Sequence, residues 1–481
     1  MEKIKKYILL GMFVFTGAVC LFQNDSKISY GADEPESYDY EAPSIINSDD
    51  PSTRKAIASR SIESQNISIK YLLIKIKDTS SESLPFPDSE YRIWYTRNVN
   101  GINKIFIIHE GVTNNRGEIN DVILQNIPSD VTTLNIRMIM GKSTRGYVQN
   151  TSNKTYGVVY SLKVPTDRTI DINTSSTFGV TAEQKFYAFL SAKINYYFYD
   201  SQRELKDIVD FAKGIDESNI ELKYSEPINI IFEKGFETNK GSYYKGSGHN
   251  NSNIPEIVIA DQVATKDQPE IFKTANIKHN ILHEWLHYHM GKNADIQAGA
   301  YIGHYGYNSD FRISYKEGIC LLFGDMYAYD YHYPYAGYET IIQRLPKAKG
   351  RSTNTTVYLV LADLVDTEAT KSSDENVSVG RKYRDVKKNG LTDYEERRLN
   401  LGLMYNLAMK TKPKTMAQFL TAYQQTYIYN GNESEKQDFK ELLEINTLSI
   451  KNNNFTLKPD PESNDYSISL TEEDIIAGEK W

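Results

Sequence analysis

Two histidines and a glutamate are the residues in this chain whose types and spacing suggest chemistry first. They stand in the run His283-Glu284-Trp285-Leu286-His287. On a helix, residues four apart sit one turn apart on one face, so both imidazoles can reach a single ion. Glu284 lies between them, where its carboxylate can face a water held by that ion and act as its base. The chemistry implied is hydrolysis by a metal-activated water. The neighbouring residues predict the helix: Ile277, Ile281, Leu282 and Leu286 form an apolar stripe with no proline or glycine inside it. Asp267 and Pro269 suit its start and Gly291 its end. A catalytic zinc takes three protein ligands and keeps one position open, so two histidines leave one donor to find.

The sequence that follows narrows the search. An extended motif with glycine three residues after the second histidine and a third histidine three further on is absent, because Met290 and Asn293 stand there. That excludes the metzincins. A Gly-Thr-x-Asp phrase supplying an aspartate ligand is absent too. Present instead is Ser314-Tyr315-Lys316-Glu317-Gly318-Ile319-Cys320-Leu321-Leu322-Phe323-Gly324-Asp325. It resembles the glutamate-bearing second helix of the gluzincins, the thermolysin-like superfamily of zinc metallopeptidases. The resemblance implies that Glu317 is the third ligand of one catalytic Zn2+, that Glu284 is the general base, and that the substrate is a protein or peptide. The 29 residues between His287 and Glu317 make a spacing similar to that of bacterial collagenase-like and enhancin-like secreted peptidases. Leu321 stands where thermolysin has an aspartate, and Asp325 is the candidate to orient a ligand histidine in its place. His304 and His332 are candidates to donate to the developing oxyanion, as a histidine or tyrosine does in gluzincins. The resemblance further implies that the strand Ile257–Ala260 is the edge on which an extended peptide aligns.

Other groups have plainer readings. His279, one turn before His283, is expected beside the site or at the surface, and His289 on another side of the helix. Cys320, one turn after Glu317, reads as a buried, inert thiol. Asp363 and Asp366 resemble part of a downstream gluzincin helix, or equally mark a solvated helix end. If the site is structural, His304 or Cys320 would fill the fourth position and Glu284 would have no task. If the catalytic region is degenerate, the chain would be a surface adhesin or glycan-binding protein.

The elements that must position these residues come in two textures. Over 64–175 short runs such as Ile67–Ile76, Tyr91–Tyr95, Lys104–Ile108, Val122–Leu124 and Leu134–Met138 alternate or are β-rich, with turn clusters between them. They predict a β-sandwich accessory domain. Its phrase Gly111–Glu118 resembles a turn and strand of bacterial transthyretin-like domains, a spacer or a glycan or cell-surface contact. Over 180–450 Phe186, Leu190, Ile194 and Phe198 recur at helical spacing. Two strand-like runs, Ile228–Phe232 and Glu256–Ala260, follow. Helical stretches are predicted near Thr355–Leu364, Thr392–Met409 and Thr415–Tyr427. The fold class expected is therefore multidomain: an N-terminal β-sandwich, then an α+β zincin-type domain with a mostly helical C-terminal half.

Composition bounds the rest. The 481 residues carry a formal charge of -8, with no basic run beyond the N-terminus, which argues against nucleic acid as a partner. The start, Met1–Lys6 followed by an apolar run from Ile8 to Phe22, reads as an export signal over 1–32, placing the chain outside the cell or on its surface. Residues 33–63, polar and broken by Pro35, Pro43 and Pro51, read as a linker, and 451–481 as a polar tail. Cys20 and Cys320 are the only cysteines. Removing the signal leaves none to pair with Cys320.

Overall fold

The computed structural model describes residues 64–78, 82–99, 101–216, 227–233, 242–246, 253–260, 274–294, 311–331, 354–365 and 391–428, with isolated positions from there to 456. The expected signal and linker lie outside the described residues. Among the described residues no helix is long and apolar enough to cross a membrane. The architecture is one of mixed sheets followed by helices.

Two four-stranded sheets build the first part. In one, β1 (Ser64–Lys77) pairs in parallel with β10 (Thr169–Ser176) along one edge. Its other edge takes β5 (Glu118–Pro128) and then the short β2 (Ser83–Pro85), both antiparallel. The other sheet is antiparallel throughout, in the order β4 (Ile102–Val112), β3 (Glu90–Val99), β6 (Thr133–Ile139), β9 (Gly157–Lys163). Alternation buries one face: Tyr91, Ile93 and Tyr95 on β3, and Leu134, Ile136 and Met138 on β6. On β1 the buried set changes phase, from Ile67 and Ile69 to Leu72, Ile74 and Ile76. The cause is a bulge: Lys70 is the extra residue against β10, and across from it Asp121 of β5 adopts φ 55°. The turn after β4 is tied by Asn114, whose side-chain oxygen accepts from the amides of Arg116 and Glu118.

A five-stranded sheet crosses the point where the sequence places the end of the strand-rich region. Its order is β12 (Tyr243–Lys245), β13 (Glu256–Val258), β11 (Asn229–Ile231), β8 (Gly146–Gln149), β7 (Gly141–Lys142). Ile230 and Ile231 of β11 pair in parallel with Val148 and Gln149 of β8. The described residues of Gly17–Asp200 and Ser225–Val263 accordingly form one compact unit, and those of Ser201–Tyr224 and Ala264–Trp481 another. Helix α1 (Ala182–Asp216) contributes to both. On it Leu190, Ile194 and Phe198 are buried while Phe186, in the same series, is exposed.

The second unit is helical. Among its described residues, besides the end of α1, lie α2 (Thr274–Ala294), α3 (Phe311–Ala328), α4 (Asn354–Val365), α5 (Asp393–Thr411) and α6 (Met416–Tyr423), the last continuing into a π-helical turn, Gln424–Ile428. Thr392 starts α5 with a reciprocal capping box to Glu395, and Thr415 caps α6. Helix α2 runs three residues past Gly291, so that glycine does not end it. Every residue from Ile281 to Met290 is buried, so α2 is a core helix rather than one with a single apolar stripe. Asp363 is buried in α4 and does not mark a solvated end. Beyond α6, β14 (Ser449–Lys451) and β15 (Asn454–Thr456) pair as a hairpin where the polar tail was expected to begin.

Two glycines set how closely α3 approaches its neighbours. A Cβ on Gly318 would lie 2.4 Å from Val357 Cβ and 2.8 Å from Asn354 O, both on α4. Gly318→Ala gains about 1 kcal/mol of helix propensity but overpacks this contact at about 1–3 kcal/mol. We expect a net loss of stability, read as a lower denaturant midpoint. An unchanged or higher midpoint would show that α4 can retreat freely.

Candidate metal centre

Helices α2 and α3 bring the donor atoms together. His283 Nε2 and His287 Nε2 lie 3.1 Å apart, one turn of α2 between them. From the facing side of α3, Glu317 Oε2 lies 3.2 Å from His287 Nε2 and 3.4 Å from His283 Nε2. The three atoms form a nearly equilateral triangle. Glu284 joins from α2, with one donor atom each of His283, Glu284 and His287 lying within 4.8 Å of one another. All four side chains are buried. The structure thus brings together His283, Glu284, His287 and Glu317. His304 and His332, the oxyanion candidates, lie outside the described residues.

The electrostatics suit a cation. Burial lowers the pKa of His283 to about 3, leaving its imidazole neutral, the form that binds a metal. Burial works against ionisation of Glu317, but the charge and hydrogen bonds of His287 and His283 outweigh it and hold the carboxyl well below its usual range. A buried carboxylate without a countercharge is costly. An ion inside the triangle would supply that charge to Glu317 and Glu284 together.

The surroundings correct or extend the sequence reading in three places. Asp325 meets His279, with Oδ1 2.7 Å from Nδ1, instead of a ligand imidazole. Its position eight residues after Glu317 carries it past His283 to the preceding turn of α2. There Gly324 leaves room for the His279 ring, since a Cβ on it would lie 3.0 Å from His279 Nδ1. His279 in turn stacks on His283, with ring centroids 5.5 Å apart. Second, Cys320 Sγ lies 3.2 Å from His287 Nδ1, the nitrogen on the far side of the ring from the donor triangle. Burial, with the Glu317 carboxylate next in effect, raises its thiol pKa well above the usual value, so the thiol is neutral. Cys320 is therefore not placed to fill the coordination of an ion held by the Nε2 atoms. Third, β13 carries β12 on one side and β11 on the other, so it offers no free backbone edge to a peptide. The sequence reading missed the Cys320 contact; its one signal was the three-residue step from Glu317, which places both on one face of α3.

His289 takes no part in the cluster. It is sandwiched between Trp285 and Tyr405 of α5, and its Nδ1 meets the Tyr405 hydroxyl. Burial lowers its pKa to about 3 as well.

No protein-family model matches the chain, and neither a curated protein nor a solved structure matches it.

The two depressed histidines set a pH dependence. With folded values near 3 and unfolded values near 6.5, His283 and His289 gain protons on unfolding throughout that window. Stability of the metal-free protein is therefore full above about pH 6.5 and falls as the pH drops toward 3. His289→Gln keeps an acceptor for Tyr405 and removes one titrating group. The variant should lose roughly one proton's share of the slope, about 1 kcal/mol per pH unit, in denaturation series between pH 7 and 4. An unaltered slope would mean that His289 is charged in the folded state.

Proposed function

We propose that this chain is an exported zinc-dependent endopeptidase of the gluzincin type, in which His283, His287 and Glu317 hold one Zn2+ and Glu284 is the general base. The observation that carries the reading is the donor triangle. Zinc sits about 2.0–2.1 Å from nitrogen and oxygen ligands in tetrahedral sites, which separates neighbouring ligand atoms by about 3.3–3.4 Å. The edges here are 3.1, 3.2 and 3.4 Å. Two neutral imidazoles and one carboxylate also leave a divalent ion with net positive charge. Three protein donors keep one position for water, as a catalytic site needs and a closed structural site does not. The position of Cys320 behind His287 argues against the structural reading as well.

Zinc bound there supplies Lewis acidity, lowering the pKa of its water to near neutrality and polarising the scissile carbonyl. The chain's own residues do the rest. Glu284 removes a proton from the attacking water and delivers it to the leaving amine. Glu317 and the two imidazoles fix the ion, and their burial excludes competing water. The strand-rich unit, which the sequence placed over 64–175 and which also takes in the strands β11 to β13, is read as an accessory part contacting the cell surface or glycan. The apolar N-terminal run directs export.

Metal content and hydrolysis of a fluorogenic peptide library, measured on the same samples, test this. Wild type should hold one zinc per chain and cleave peptides. Glu317→Ala should lose most of its zinc. Glu284→Gln should keep the metal and lose about 10²–10⁴-fold in kcat. A wild-type protein free of zinc under metal-replete conditions, or a Glu284→Gln variant as active as wild type, overturns the proposal.

A further inference from the structure

A histidine that binds a metal through one ring nitrogen carries its hydrogen on the other, and in most sites donates it to a carboxylate, a backbone carbonyl or water. That partner fixes the tautomer, stops the ring turning, and sets how strongly the imidazole gives electron density to the ion. The two ligand histidines here differ in this respect. His283 Nδ1 is buried and has no hydrogen-bond partner among the described residues; its ring is stacked on His279 instead. His287 Nδ1 does have a partner, and it is a sulfur: Cys320 Sγ at 3.2 Å, on a side chain wholly shielded from solvent.

We propose that Cys320 is the positioning residue for the metal ligand His287, accepting the Nδ1 hydrogen through its sulfur and so locking the ring with Nε2 aimed at the ion. The inference rests on the metal-centre reading above and adds how that centre is held. Three observations converge on it. The contact is short for sulfur, between two buried side chains. It is made to the nitrogen that faces away from Glu317 and His283, so it does not compete with binding. And it comes from α3 one turn beyond Glu317, so one rigid helix sets both the third ligand and the orientation of the second. Sulfur accepts weakly compared with a carboxylate. His287 held this way donates less density to the ion than it would with an aspartate partner, and the ion keeps more of its Lewis acidity.

The test compares Cys320→Ala, which removes the acceptor, with Cys320→Ser, which keeps one of similar size. Zinc affinity is measured by chelator competition, the visible spectrum is recorded with cobalt(II) in place of zinc, and the melting temperature is taken on metal-free protein. Positioning predicts that Cys320→Ala weakens zinc binding by about 10–100-fold and alters the cobalt spectrum. It also predicts that Cys320→Ser recovers most of the affinity. If Cys320 only fills space, both variants lower the metal-free melting temperature while zinc affinity and the cobalt spectrum stay as in wild type. That outcome overturns the proposal. Wild-type protein that binds neither zinc nor cobalt would overturn the metal centre itself, and so is distinguishable from failure of the Cys320 proposal alone.

Discussion

Charge cannot be left unbalanced inside an apolar helical core, and the helical unit of this protein is organised around that constraint. Glu284 and Glu317 are both buried there, and at Glu317 burial works against the charged form. What keeps Glu317 ionised is the pair of imidazoles directly across from it. Burial holds the His283 imidazole neutral. A divalent ion in the proposed site would add a countercharge to both carboxylates. The requirement then falls on helix packing: α3 must come close enough to α2 for a carboxylate to reach two Nε2 atoms. Gly318 and Gly324 remove the side chains that would otherwise hold α3 away from α4 and from His279.

Around this cluster further polar groups contact the two histidines from behind. Asp325 meets His279, His279 stacks on His283, and Cys320 backs His287. The groups lie on two facing helices, 279, 283 and 287 on α2 against 317, 320 and 325 on α3, so a small rotation of either helix would disturb all of them together. His289 follows a different logic. Two residues beyond His287, it faces α5 and ties α2 into the core through Tyr405.

Much of the site was legible because it depends on one helix. The four-residue step from His283 to His287 specifies their approach whatever the tertiary fold, and the apolar neighbours specify the helix. Glu317 was reachable only by resemblance, because 29 residues of connection carry no local geometry. Asp325 was assigned to the wrong histidine for the same reason: its partner is set by how far α3 runs along α2, which periodicity does not encode. Burial of Asp363 and the continuation of α2 through Gly291 show tertiary packing overriding local signals of polarity and of a helix stop. In the strand-rich part, the alternation of Ile67–Ile76 indicated a strand. The change of buried phase did not show, because it arises from the bulge at Lys70, a property of pairing with β10 and β5. The strand Ile257–Ala260 was likewise legible as a strand, but not its place between two others.

That same five-stranded sheet bears on how the chain acquires its structure in time. β8 pairs with β11 across roughly eighty residues of intervening sequence, a long and parallel closure of the kind that slows folding. As the polypeptide emerges from the ribosome, β7 and β8 are made well before β11, β12 and β13 exist. The backbone groups along one side of β8 must wait, unpaired, until α1 has been made and the later strands arrive. The strand-rich unit therefore cannot finish before the helical unit has begun. Synthesis of this protein is a process in which two parts of the chain mature together, with an open strand edge exposed to chaperones in the interval.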